Sequence, residues 1–85
     1  MKSFNYVIKD ELGLHARPAG TLVKEAKKYE SKIKVTKGEK TASATQLMML
    51  MSMAVKKGAE VTVTAEGPDE DAACEAMEQF FRKNL

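Results

Sequence analysis

The sequence predicts an α+β fold, an open-faced βαββαβα sandwich with three helices on one face of a four-stranded antiparallel sheet. Three observations lead there. Short segments with apolar residues at every second position are interleaved with segments whose apolar residues recur at helical spacing. Each strand segment pairs one apolar face with a face of Ser, Thr, Lys or Asn, so helices are expected on one side only, and one-sided sheets are usually antiparallel. Finally, 85 residues suffice for one domain, residues 1–85, with a two-layer core.

The first strand is read from "FNYVI", where Phe4, Tyr6 and Ile8 share a side opposite Ser3 and Asn5. Asp10 to Gly13 breaks the alternation, and Gly13 suits a tight turn. From Ala16 to Lys28, the apolar residues Ala19, Leu22, Val23 and Ala26 form one helical stripe, leaving Thr21, Lys24, Lys27 and Lys28 to water. Pro18 is compatible with this helix, because N–H groups of a first turn lack intrahelical acceptors. "SKIKVTKGEKTASA" reads as two strands joined around Gly38, Ile33 and Val35 facing inward and Thr41 to Ala44 forming an edge.

"QLMMLMSMAVKKG" predicts a short helix with Leu47, Leu50, Met51 and Ala54 as its inner stripe and Met48, Met49 and Ser52 pointing elsewhere. Gly58 is its expected C′ residue. "EVTVTAE" is the clearest strand, with Val61, Val63 and Ala65 inward. After Gly67-Pro68, Asp69 is the expected cap of a last helix that has Glu70 and Asp71 in its first turn and Arg82 and Lys83 in its last, complementing the dipole at both ends. Ala73, Met77 and Phe80 mark its buried face, flanked by Ala76 and Phe81.

Composition narrows the function classes. Fourteen basic and twelve acidic residues leave a net charge of +2, too balanced to indicate nucleic acid or a membrane surface. The longest apolar run, Leu47 to Met51, is far too short to span a bilayer. One cysteine, Cys74, allows no internal disulfide and fits a reducing cytoplasm; beside Ala73 and Met77 it reads as a structural thiol. One His and one Cys far apart make no metal set, and no cofactor motif is present. An open sheet could bind single-stranded RNA through aromatic residues on its free face. Here Phe4 and Tyr6 share the inward phase of Ile8, so no such platform is expected.

"GLHARPAG", residues 13 to 20, holds the only histidine. His15 falls at the N-cap of the first helix, where unpaired N–H groups and the macrodipole favour an anion. The same field disfavours imidazolium and so leaves a ring nitrogen lone pair available. Arg17 adds a guanidinium whose planar fork suits phosphate oxygens. Accepting a phosphoryl group asks for these parts, because such transfer needs mainly positioning and charge stabilisation. By spacing alone, a lone histidine at a helix start is more often just a solvated turn residue.

"GLHARPAG" resembles the active-site signature of HPr, the histidine-containing phosphocarriers of the bacterial phosphoenolpyruvate-dependent phosphotransferase system. "LVKEAKKYESKIKVTKGEKTASA" and "VKKGAEVTVTAEGPDEDAA" resemble the matching segments, so the likeness covers nearly the whole chain, in the same βαββαβα order. The resemblance implies that His15 is phosphorylated at Nδ1, that Arg17 assists transfer, and that Ala16, Arg17 and Pro18 shape the phosphate-binding helix start. It implies enzyme I as donor and an enzyme IIA histidine as acceptor, in sugar uptake. In this reading the protein is a monomeric carrier that completes no turnover alone.

Partner contacts are expected at Met48, Leu47 and Met51, with Gly20, Lys24 and Lys27 along the first helix. Leu47 and Leu50 are also expected to pack into the core, whereas the phase of Met48 points it outward. Flexible, polarizable methionines suit a surface that meets several partners. Two positions depart from the pattern. Gln46 stands where many relatives carry a regulatory serine, so no regulatory hydroxyl is present there, although Thr45 could cap the second helix. Leu12 stands where sugar-system relatives often carry a polar residue; leucine there is also seen in nitrogen-branch relatives, so the branch stays open. A nitrogen-branch or purely regulatory protein, acting by partner binding, is the alternative reading; the presence of both His15 and Arg17 counts against the latter.

Overall fold

The computed structural model describes residues 1–85. Its elements run β1 (Lys2–Val7), α1 (Ala16–Ala26), β2 (Lys32–Lys37), β3 (Lys40–Ser43), α2 (Leu47–Ser52), β4 (Glu60–Glu66) and α3 (Glu70–Asn84). The strands form one sheet in the order β1-β4-β2-β3, and every neighbouring pair is antiparallel. The open-faced sandwich is therefore the observed architecture.

Register follows from the alternation. Phe4 pairs with Val63 and Tyr6 with Val61, while Ile33 pairs with Ala65 and Val35 with Val63, which lines up one apolar face. A one-residue slip would turn all of these toward water. The opposite face is polar, with Thr62 Oγ1 donating to Asn5 Oδ1 at 2.7 Å and Thr36 and Thr41 hydroxyls 3.1 Å apart.

Ala19, Leu22 and Ala26 of α1 and Ala73, Met77 and Phe81 of α3 are buried against the apolar face. Phe81 is at the centre of the core rather than on its flank. Its ring makes edge contacts with Phe4, Tyr6 and Phe80 at centroid separations of 5.8, 5.9 and 6.1 Å. Such pairs contribute about 0.5–1.5 kcal/mol each beyond area burial.

The structure corrects the reading of the second helix. Only Leu50 within α2 is buried, and Leu47, Met51 and Ala54 are exposed. The inward partner of Leu50 is Met53, which follows the last helical turn. The helix is too short for a continuous stripe, and one anchor per turn is all it sends inward. Nor does Gly58 end it: Ala54, at φ 53°, takes the left-handed position instead. Lys37 Nζ donates to Met53 O at 3.3 Å and to Ala54 O at 3.0 Å, placing a cation where helix carbonyls lack partners.

Asp69 occupies the N-cap of α3, yet its side chain makes no cap hydrogen bond. Its carboxylate instead accepts from the Glu30 N–H, the Ser31 N–H and the Ser31 hydroxyl, tying the α1–β2 connection to the start of α3. Thr45 does not cap α2 either. Gln46 holds that position without a side-chain bond, and the Thr45 hydroxyl lies 2.9 Å from that of Ser43.

Candidate functional site at the start of the first helix

The site begins with a turn that only glycine can make. Gly13 has φ 67°, and a Cβ there would collide with the Val55 carbonyl and with Lys56 Cα. That close approach lets the Leu14 N–H donate to Val55 O at 2.9 Å, while the Leu14 side chain is buried. The next residue, His15, is thereby fixed from behind. Asp10 Oδ1 accepts from the Leu12 N–H at 2.9 Å, and Gly13 N–H donates to Asp10 O at 3.0 Å, which closes the loop leading to His15.

His15 is the N-cap residue of α1, extended at φ −90° and ψ −175°, and it makes no side-chain cap bond. Its carbonyl accepts the Ala19 N–H at 2.9 Å, the first bond of the helix. The Ala16 and Arg17 N–H groups have no hydrogen-bond acceptor within the protein, and Pro18 has no N–H to offer. The first turn also lacks any acidic side chain. An anion placed here would meet two free amides and the positive end of α1.

The side chains complete the site. His15 is half-buried and Arg17 is exposed. Both line a shallow pocket of about 330 Å³ with Pro18, Asp10, Leu12, Thr21 and Asn84. Thr21 follows Arg17 by one helical turn of α1, whereas the proximity of Asn84 was not apparent in the sequence, since the α3 end reaches this pocket only through the fold. Asp10 did leave a local trace, as the acceptor of an Asx-type turn in "KDELG".

The remaining predicted residues divide between two helices. Gly20, Lys24 and Lys27 follow His15 along α1, with Gly20 half-buried, both lysines exposed, and open space where a Gly20 Cβ would project. Leu47, Met48 and Met51 lie exposed on α2, which packs against α1. The expected core role of Leu47 is not realised: it is 37% exposed, because only Leu50 faces the sheet side. Cys74 is half-buried, and burial, followed by the nearby Glu78 carboxylate, raises its thiol pKa. A protonated thiol is a poor nucleophile.

Chemically, this end of α1 can receive a tetrahedral anion beside an imidazole and a guanidinium. That combination defines a group-accepting protein, and comparison with known proteins places it more closely. The family model described as "PTS HPr component phosphorylation site" matches residues 2–83. Phosphocarrier protein HPr of Mycoplasma capricolum subsp. capricolum is 44% identical over 79 residues, covering 93% of this chain and 89% of that protein. A solved structure of the histidine-containing phosphocarrier protein from Mycoplasma superposes with a TM-score of 0.93 at 41% identity, covering 96% of this chain and 93% of that one. An HPr dimer from Thermoanaerobacter tengcongensis gives a TM-score of 0.77 at 40% identity, over 98% of this chain and 95% of that one. The chain belongs to the HPr family, the phosphoryl carriers of the phosphotransferase system.

Proposed function

We propose that His15 is the residue that carries the phosphoryl group, taking it from phosphorylated enzyme I and passing it to a histidine of an enzyme IIA protein or domain. The observation that carries this reading is the open start of α1: two amides without acceptors and no acidic residue in the first turn, beside the chain's only imidazole. With the ring proton on Nε2, the Nδ1 lone pair attacks phosphorus as the bond to the donor's nitrogen breaks. No proton need leave in that step. Arg17 and the Ala16 and Arg17 amides bind the equatorial oxygens, whose charge they are placed to stabilise. Pro18 fixes the backbone of the turn without adding a competing donor.

Partners dock on the exposed face of α1 and α2, through Gly20, Lys24 and Lys27 on one side and Leu47, Met48 and Met51 on the other. The lysines steer acidic partners and the thioethers adapt to each surface. The complexes are small and brief, since one partner must leave before the next binds. The protein works as a cytoplasmic monomer forming one domain, feeds sugar uptake, and completes no turnover without its partners. Solution mass measurement tests the monomer against the dimeric state of the Thermoanaerobacter relative.

Incubation with phosphoenolpyruvate and purified enzyme I tests the central assignment. The expected result is an acid-labile gain of one phosphoryl mass, absent from His15→Ala. An unchanged mass in the parent protein, or a gain that survives His15→Ala, overturns it.

A further inference from the structure

Of the six methionines, four fall between residues 48 and 53, and the fold sorts them. Met48, Met49 and Met51 are 78%, 47% and 40% exposed, whereas Met53 is 2% and Met77 0% exposed. Apart from Met1 at the N-terminus, the methionines open to solvent are those of the α2 surface, and those that hold the core are closed. Leu50, not a methionine, anchors α2 itself.

From this separation we infer that the α2 methionines are a reversible oxidation site that switches partner docking without unfolding the carrier. The inference rests on the reading that α2 contacts partners. The oxidant is a peroxide. A thioether lone pair attacks one peroxide oxygen, the O–O bond breaks, sulfur gives up two electrons, and the departing hydroxide takes a proton to leave as water. The product sulfoxide is polar and chiral, in place of a flexible apolar side chain. A sulfoxide reductase restores it with two thiol equivalents, which leave as a disulfide and water.

Oxidation at these positions removes apolar contact from the docking face while leaving Leu50, Met53 and Met77 in place. Steric access to sulfur decides which methionines react, so Met48 is oxidised first. Met1, 74% exposed, serves as internal standard, because its amino group pairs with Glu70 of α3, away from α2. The raised thiol pKa of Cys74 disfavours its competing oxidation, and a Cys74→Ala background removes that route altogether.

The test treats the protein with dilute hydrogen peroxide, maps the oxidised residues by mass, and measures phosphoryl transfer from phosphorylated enzyme I. The expected result is oxygen on Met48, Met49 and Met51 but not on Met53 or Met77. KM for the carrier then rises about tenfold, about 1.4 kcal/mol of binding, with unchanged Tm and recovery after methionine sulfoxide reductase. In Met48→Leu/Met49→Leu/Met51→Leu, KM does not respond to peroxide, whatever its starting value. Met48→Asp separates the two layers of the inference. A raised KM for Met48→Asp with no effect of oxidation overturns the switch and leaves the docking face standing. An unchanged KM in both overturns the docking reading and the switch with it. Oxidation of Met53 or Met77 at the same rate, with falling Tm, also overturns the switch.

Discussion

The starts of α1 and α3 share the positive end of a helix but differ in backbone and in charge: the N-cap His15 is extended at φ −90° and ψ −175°, whereas Asp69 sits at φ −114° and ψ 29°. Neither N-cap side chain bonds its own helix. The first turn of α3 carries Glu70 and Asp71, and the Glu70 carboxylate accepts the Gly67 N–H at 3.2 Å and meets the Met1 amine at 2.8 Å. Its positive end is therefore flanked by the protein's own carboxylates, although none of them bonds a first-turn amide. The first turn of α1 has no acid, and two of its amides are unfilled. One helix start carries its own acids, and the other, which carries none in its first turn, is the one proposed to receive the incoming group. The Asp71 and Ala72 amides of α3 lack acceptors too, so the two ends differ not in unpaired amides or in the helix dipole, which both share, but in the acidic side chains that only α3 carries.

The largest expected effect comes from closing the open end. Arg17→Glu places a carboxylate in the first turn of α1, as α3 already has. It should reduce phosphoryl uptake by about 100-fold, since one charge-assisted hydrogen bond contributes about 1.5–3 kcal/mol. Thermal stability should hold or rise, because an acid near a helix N-terminus contributes about 0.3–1 kcal/mol. Uptake kinetics and Tm of the one variant check both halves. Intact uptake would mean that the contrast between the helix starts has no functional content.

Gly13→Val attacks the support behind the open end. Its Cβ meets the Val55 carbonyl at a backbone position with φ 67°, and a destabilisation of about 1–3 kcal/mol is expected. Urea unfolding measures it, and loss of amide protection at Leu14 would locate the damage. Lys37→Met is milder. It removes the cation from the carbonyls of Met53 and Ala54, for a loss of roughly 1 kcal/mol. Because Val55 follows directly and accepts from Leu14, the slower phosphoryl uptake should appear with little change in partner KM; Lys37→Arg should recover it.

The smallest effect separates the two helix starts by pH. The Ser31 hydroxyl first, then the Glu30 and Ser31 N–H groups, lower the pKa of Asp69 below its ordinary 3.8. A carboxylate with a depressed folded-state pKa contributes stability that is complete above its unfolded value. That contribution is lost as pH falls through the lower folded one. In Asp69→Asn, stability should therefore fall less steeply with acid than in the parent below about pH 4, while phosphoryl uptake at neutral pH stays close to the parent's. Parallel acid limbs in the two proteins would remove Asp69 from this account.

Sequence by itself determined the elements whose pattern is local. Alternation in "EVTVTAE" and the stripe Ala19, Leu22, Ala26 are statements about neighbouring residues, and backbone period converts them directly into strand and helix. His15 at the α1 N-cap and Arg17 beside it were legible for the same reason: cap and first turn lie within four residues. Only the tertiary structure decided where Asp69 spends its carboxylate, why Phe81 rather than Phe80 sits at the centre, and how little of α2 reaches the core. Each depends on which distant segment arrives opposite, and a two-turn helix has too few residues to announce its own buried face. The pocket at His15 shows both sides of this. Its imidazole and guanidinium are written next to each other, but Asn84 reaches the pocket, and the Val55 carbonyl reaches the Leu14 N–H behind it, only because the fold brings their distant segments there.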